Sequence, residues 1–199
     1  MSEVPAPALI VTGAVVPLPR DNVDTDLILP SRYMKTLGRE GLGEGAFEAL
    51  RGQTGNPFDD PRYRGAPILV AGANFGCGSS REHAVWALQQ IGLRAVIAPG
   101  FGEIFETNAL RNGLIAVRLP QRQIDRLLTL APEQHVTVDV GQQMVIADGD
   151  RLPFALDPFR SYCLLNELDD IAVTEALDPE IAAWEERSRN ERPWAFPLA

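Results

Sequence analysis

The sequence predicts an α/β domain, and three observations carry that prediction. Apolar runs of strand length, Ala66 to Ala71 and Ala95 to Ala98, alternate with segments whose apolar residues recur at helical spacing, as Ala84, Val85, Ala87, Leu88 and Ile91 do. Alternation of this kind favours helices layered on a partly parallel sheet. With 199 residues, 45% of them apolar, the chain can bury one sizeable core. A single domain over 1–199 is therefore expected, with its core over about 9–176 and a C-terminal helix and extended tail over 177–199.

Taken in order, Leu9 to Val16 is a β-branched run closed by Pro17 and Pro19, and it predicts the first strand. Asp21, Asp24 and Asp26 follow within a polar turn. That turn lacks the glycine and terminal glutamate of an EF-hand loop, so local hydrogen bonding by Asp and Asn side chains is the expectation. From Ser31 to Gly45 the chain becomes polar and glycine-punctuated, which reads as a mobile loop with little apolar content to anchor it. Gly55 to Arg64 is a second turn-rich connector.

Beyond it come the strand Ala66 to Ala71, a helix starting near Ser80, the strand Ala95 to Ala98, a short helix over Ile104 to Arg111 and a strand over Leu114 to Leu119. Gln121 to Leu130 reads as an amphipathic helix. Val136 to Val140 and Met144 to Ile146 read as strands around Gly141, with Pro153 to Leu156 one more. Cys163 to Leu168 and Ile171 to Ala176 read as helices, and a charged helix around Ile181 to Ser188 leads to Trp194 and Phe196. Those aromatics suit docking on the domain or contact with a partner.

The formal charge of −9 and pI near 4.7 argue against general nucleic-acid or anionic-membrane binding, because phosphate contacts need concentrated Lys and Arg. An anionic substrate must then find local positive potential, for which Arg81, Arg32, Lys35 and Arg39 are the candidates. Met1 to Pro7 has no signal-peptide pattern and no stretch approaches a membrane span, so the expectation is a cytoplasmic protein with Cys77 and Cys163 reduced. Two cysteines without a C-x-x-C grouping imply that this chain alone holds no iron–sulphur cluster, and no metal site is expected in it.

The most informative stretch is Gly72 to His83, where a strand passes to a helix through GANFGCGSSREH. Backbone N–H groups at Ser79 to Glu82 are expected in a first helical turn, where they lack intrahelical partners and attract a carboxylate or phosphate. Gly72, Gly76 and Gly78 allow a tight turn and close approach to a ligand. Arg81 adds a fork-shaped cation. A glycine-rich turn with a serine N-cap and a surface arginine accounts for the same residues without a ligand. Ser79, Ser80 and His83 invite comparison with a serine hydrolase, but a nucleophile elbow sets its serine between glycines, whereas these serines run into Arg81 and Glu82. His83 reads as a structural imidazole near the helix start.

The longer string GANFGCGSSREHA, residues 72–84, resembles the signature of the small-subunit family of 3-isopropylmalate dehydratase, the swivel-domain members of the aconitase superfamily. DNVDTDLILP at 21–30 resembles that family's N-terminal signature. FGEIFETN at 101–108 with Asn112-Gly113-Leu114 resembles the central one, and residues 159–171 the C-terminal one. The resemblance spans roughly Leu9 to Ile171. It implies a single aconitase-like swivel domain acting in leucine biosynthesis, where 2-isopropylmalate is isomerised to 3-isopropylmalate by dehydration and rehydration. It implies a separate large subunit carrying a [4Fe-4S] cluster, and activity only in the complex.

Carried over residue by residue, the resemblance makes Ser79 the candidate base and places Ser80 and Arg81 on a substrate carboxylate. Arg39 is a candidate second contact, and Tyr33, Met34, Lys35 and Thr36 belong to the loop that sets substrate identity. A related hydro-lyase acting on homoaconitate, citraconate or dimethylmalate would share these residues, and a non-catalytic anion-binding module would keep the loop alone. Two departures stand out. Asn166-Glu167-Leu168 replaces Asn-Gly-Leu, so a positive-φ turn there is reshaped or moved to Asn166. Ala84-Val85 replaces Ala-Pro after the histidine, a change expected to affect only local rigidity.

Overall fold

The computed structural model describes residues 9–34, 38–78 and 81–195, with residue 170 described by its backbone. Its strands are β1 (Ile10–Gly13), β2 (Val15–Leu18), β3 (Ile68–Ala71), β4 (Ala95–Ala98), β5 (Ile115–Arg118), β6 (Val136–Asp139), β7 (Met144–Ala147) and β8 (Asp150–Pro153). Its helices are α1 (Thr25–Ile28), α2 (Leu42–Gly45), α3 (Glu82–Gln90), α4 (Glu103–Arg111), α5 (Gln121–Leu127), α6 (Pro158–Leu165), α7 (Asp170–Glu175) and α8 (Asp178–Glu191).

The strands separate by direction into two four-stranded sheets, β2-β3-β4-β5 and β1-β6-β7-β8. In the first all three pairings are parallel, and in the second all are antiparallel. The single strand expected over Leu9 to Val16 is thus two strands. β1 pairs with β6, Ala14 intervenes, and β2 pairs with β3.

Side-chain alternation explains why β3 and β4 read as unbroken apolar runs: a strand sends successive side chains to opposite faces, and here both faces are covered. Leu69 and Ala71 enter one cluster with Val96, Ala98 and the inner faces of α3 and α4. Ile68 and Val70 enter a second with Ala95, Ile97, β6, β7 and α5. All four residues of β3 and all four of β4 are buried. The antiparallel sheet is covered on one face, and β7 alternates accordingly between half-buried and buried residues.

Three helices end in the same way. After α3, Leu93 N–H donates to Leu88 O at 3.1 Å with Gly92 at φ 97°. After α4, Leu114 N–H donates to Ala109 O at 2.9 Å with Gly113 at φ 75°. After α6, Leu168 N–H donates to Cys163 O at 2.9 Å, and here the positive φ, 54°, belongs to Glu167. Each is a Schellman turn, in which a left-handed residue lets the chain fold back onto the last carbonyls. The turn after α6 has therefore not moved to Asn166, whose φ is −107°.

Other boundaries differ from the sequence reading in instructive ways. α6 begins at Pro158, where Asp157 caps it by accepting from Arg160 N–H at 3.0 Å, five residues before the expected start. The last strand is Asp150–Pro153 rather than Pro153 to Leu156, because Asp148 and Gly149, both at positive φ, turn β7 directly into β8. The Ser31 to Gly45 segment carries more anchorage than expected. Leu42 is buried, Gly43 N–H donates to Gln90 Oε1 at 2.9 Å, and the Tyr33 ring lies against Gly45.

Candidate active site

The site is built where parallel strands end, the edge at which open α/β sheets place their ligand crevices. Three loops leave that edge, after β2, β3 and β4, and backbone hydrogen bonds lace them together. Asn22 N–H donates to Ala73 O at 2.8 Å, Gly76 N–H to Val23 O at 2.7 Å and Thr25 N–H to Cys77 O at 3.0 Å. On the other side, Phe75 N–H donates to Gly100 O at 3.0 Å and Gly102 N–H to Phe75 O at 2.8 Å. Of the acids in the 21–26 turn only Asp24 bonds locally as expected, whereas Asp21 reaches across to the loop after β3. Asp21 Oδ1 accepts from Ala73 N–H at 2.7 Å, and Asp24 Oδ1 caps α1 by accepting from Leu27 N–H at 2.7 Å.

Gly76 shows why the loop needs glycine. Its φ is 73°, and a Cβ there would lie 2.6 Å from Phe105 Cβ. Phe105 itself is buried, edge-on to Phe75 at 5.3 Å between ring centroids. The loop thus rests on an aromatic floor with no room for a side chain beneath it.

α3 begins at Glu82, two residues later than expected. Arg81 is its N-cap, with extended backbone and no side-chain capping bond. The Arg81 guanidinium pairs through Nη1 with Asp26 Oδ1, linking the residue that follows the glycine-rich loop to α1. Ser79 and Ser80, the candidate base and its neighbour, lie outside the described residues, as do Lys35 and Thr36. Cys77 and Gly78 precede the serine pair in the sequence and Arg81 follows it. Thr25 Oγ1 faces Gly78. It would be 3.9 Å from a Cβ on Gly78, it is buried, and it has no hydrogen-bond partner among the described residues.

The remaining candidates take separate positions. The Arg39 guanidinium stacks over the Trp86 ring, 4.3 Å from its centroid, one helical turn beyond the start of α3. Its carbonyl accepts from Gln90 Nε2. Tyr33 and Met34 pack against the cluster under α1 and α2. The His83 ring lies 4.8 Å from that of Trp86, in keeping with a structural imidazole. Arg32 pairs with Glu48.

Sequence reasoning missed two participants. One is Asp26 as the partner of Arg81, an acid expected to bond only within its own turn. The other is Asn112, which joins α4 to one face of α3. Its Nδ2 donates to Glu82 Oε1 at 2.6 Å, its Oδ1 accepts from Trp86 Nε1 at 2.8 Å and its backbone O accepts from Gln89 Nε2 at 2.6 Å. Glu82, Trp86 and Gln89 share a helix face by their spacing.

Cys77 and Cys163 are both free. Among the described residues no group of three or more His, Cys, Asp or Glu side chains comes together as a metal-binding set. The donor set for an iron–sulphur cluster is therefore not assembled by these residues. No described helix is long and apolar enough to cross a membrane.

The family profile for the aconitase C-terminal domain matches residues 6–122, a span that takes in the whole parallel sheet and the turn at its edge. Among curated relatives, the 3-isopropylmalate dehydratase small subunit of Erythrobacter litoralis is 50% identical over 185 residues, covering 92% of each chain. The protein of the same name from Zymomonas mobilis is 50% identical over 186 residues, covering 93% of this chain and 97% of its own. A solved structure of a 3-isopropylmalate dehydratase from Methanocaldococcus jannaschii matches with a TM-score of 0.68 at 25% identity, covering 88% of this chain and 99% of that one. The chain is an aconitase-type α/β domain. It belongs to the 3-isopropylmalate dehydratase small-subunit family.

Proposed function

We propose that this chain supplies half of a shared active site, in which 2-isopropylmalate loses water and regains it at the adjacent carbon to give 3-isopropylmalate, a step of leucine biosynthesis. The observation that carries this reading is the laced loop at the C-terminal edge of the parallel sheet, with Arg81 at its end and α3 starting behind it. The identity to relatives named as small subunits supports the substrate and the need for a large subunit. The resemblance to that family implies that the [4Fe-4S] cluster, with the chemistry it supplies, is held by the large subunit.

On this chain, Ser79 Oγ takes the proton from the carbon beside a carboxylate as hydroxide departs from its neighbour, and returns a proton in the rehydration half. A serine hydroxyl is far too weak an acid to ionise in water. The start of α3, the Arg81 cation and exclusion of water must act together to favour its anion. Arg81 and Ser80 hold a substrate carboxylate, with Arg39 a second contact once the 31–45 segment is arranged over substrate. Tyr33, Met34, Lys35 and Thr36 meet the isopropyl group. The protein is placed in the cytoplasm, where its thiols stay reduced, and contacts neither nucleic acid nor membrane. It forms one domain over 1–199.

The test is anaerobic turnover of 2-isopropylmalate by this chain mixed with its cluster-bearing large subunit, each component alone serving as control. Turnover is expected only in the mixture. Ser79→Ala should still join the complex but lose at least about a hundredfold in rate, the usual cost of removing a positioned base. Near wild-type turnover by that variant would end the assignment of Ser79. Ester hydrolysis by the isolated chain would overturn the whole reading in favour of a hydrolase.

A further inference from the structure

We propose that Asp26 is a positioning residue for substrate binding, holding the Arg81 guanidinium so that its remaining N–H groups face the substrate carboxylate. The proposal rests on the function proposed above for Arg81.

Asp26 is suited to this because α1 is immobilised on every other side. Thr25 N–H is tied to Cys77 O at 3.0 Å, Asp24 caps the first turn through Leu27 N–H, and Ile28 and Leu29 are fully buried beneath it. Thr25 itself is buried, and Asp26, next along the helix, points out, with its side chain 58% exposed. Arg81 is the less exposed partner, at 28%. A carboxylate on a rigid support thus meets a guanidinium on the chain leaving the serine pair, while the same short helix grips Cys77 on the chain entering it. The two contacts bracket residues 79 and 80.

Asp26 engages one nitrogen, Nη1. An arginine has five N–H donors in a planar fork, so a bond at Nη1 restrains the fork and leaves its other N–H groups for a second carboxylate. Without Asp26 the side chain recovers its rotamer freedom, and ordering it must be done by substrate. The pair is too exposed to matter much for stability, since surface ion pairs contribute little. Its consequence is therefore expected in kinetics and not in folding.

The experiment compares wild type, Asp26→Ala and Asp26→Asn in the reconstituted holocomplex, and follows the Arg81 guanidinium by nitrogen-15 NMR in the isolated chain. Asp26→Ala should lower kcat/KM by about 10- to 100-fold, the scale of a misplaced binding group, with KM raised and kcat reduced. Melting temperature and association with the large subunit should not change. Asp26→Asn keeps an oxygen acceptor and should recover much of the loss. In the isolated chain, hindered rotation at Arg81 Nη1 should be seen in wild type and lost in Asp26→Ala. Unchanged KM and kcat in Asp26→Ala would overturn the proposal, as would freely rotating Arg81 in wild type. A lower KM would also overturn it, by showing that Asp26 competes with substrate for Arg81. Absence of turnover by the wild-type complex would instead defeat the functional reading, and the NMR comparison would still decide whether Asp26 holds Arg81.

Discussion

Glu167 occupies a backbone position that its neighbours in the fold give to glycine. The turns after α3 and α4 place Gly92 and Gly113 at positive φ, whereas the equivalent turn after α6 places Glu167 there at φ 54°. A left-handed conformation costs a residue with a Cβ roughly 1–2 kcal/mol, partly offset by the greater freedom that glycine has when unfolded. Glu167 is exposed, so its side chain forfeits little on removal. Glu167→Gly should therefore stabilise the protein by about 0.5–1 kcal/mol, seen as a melting temperature higher by about 1–4 °C. A lower melting temperature would mean that the carboxylate makes a contact worth more than the backbone strain. The Asn-Gly-Leu pattern made the turn legible in the sequence, but the residue that would take the left-handed place was not. Asn tolerates positive φ better than Glu, yet the hydrogen bonds from Glu167 and Leu168 N–H to Leu164 and Cys163 O fix the register at Glu167.

At the scale of elements, what the sequence disclosed depended on whether the signal was local. β4 is found at its expected limits because four consecutive apolar residues buried on both faces leave no other reading. The start of α6 lies earlier than its apolar pattern indicates, because Asp157 and Pro158 begin the helix while its buried apolar residues, Cys163 and Leu164, lie in its second half. No local signal separates β1 from β2, since their assignment to different sheets is decided by partners more than fifty residues away in sequence. The tight loop after β3 was legible in its glycines, while the role of Asp26 was not, because its contact with Arg81 links the first signature to the second. That loop is also where an element-level change should be felt most. Gly76→Ala adds a Cβ against Phe105 at a positive φ, and left-handed strain plus overpacking should cost at least about 2 kcal/mol. Thermal denaturation measures it, and an unchanged midpoint would show that the aromatic floor under the loop can yield.

For the molecule as a whole, the two apolar clusters lie on opposite faces of the parallel sheet, so burial is concentrated between α3 and α4 on one side and the antiparallel sheet on the other. The C-terminal helix stands outside that arrangement. Leu177, Ile181, Trp184 and Trp194 remain 51%, 37%, 53% and 79% exposed, and Ser188 is the buried residue of α8. A fully buried large apolar side chain contributes about 1.5–3 kcal/mol, and none of these four is close to that state. We propose that the domain's core ends before α8, whose large apolar side chains stay exposed although the segment is helical. Ending the chain after Ala176 should leave a folded domain destabilised by less than about 1 kcal/mol, a fall in melting temperature of no more than about 4 °C for a chain of this length. A larger fall would place α8 within the cooperative unit, and the single-domain reading would then extend without a break to the end of that helix.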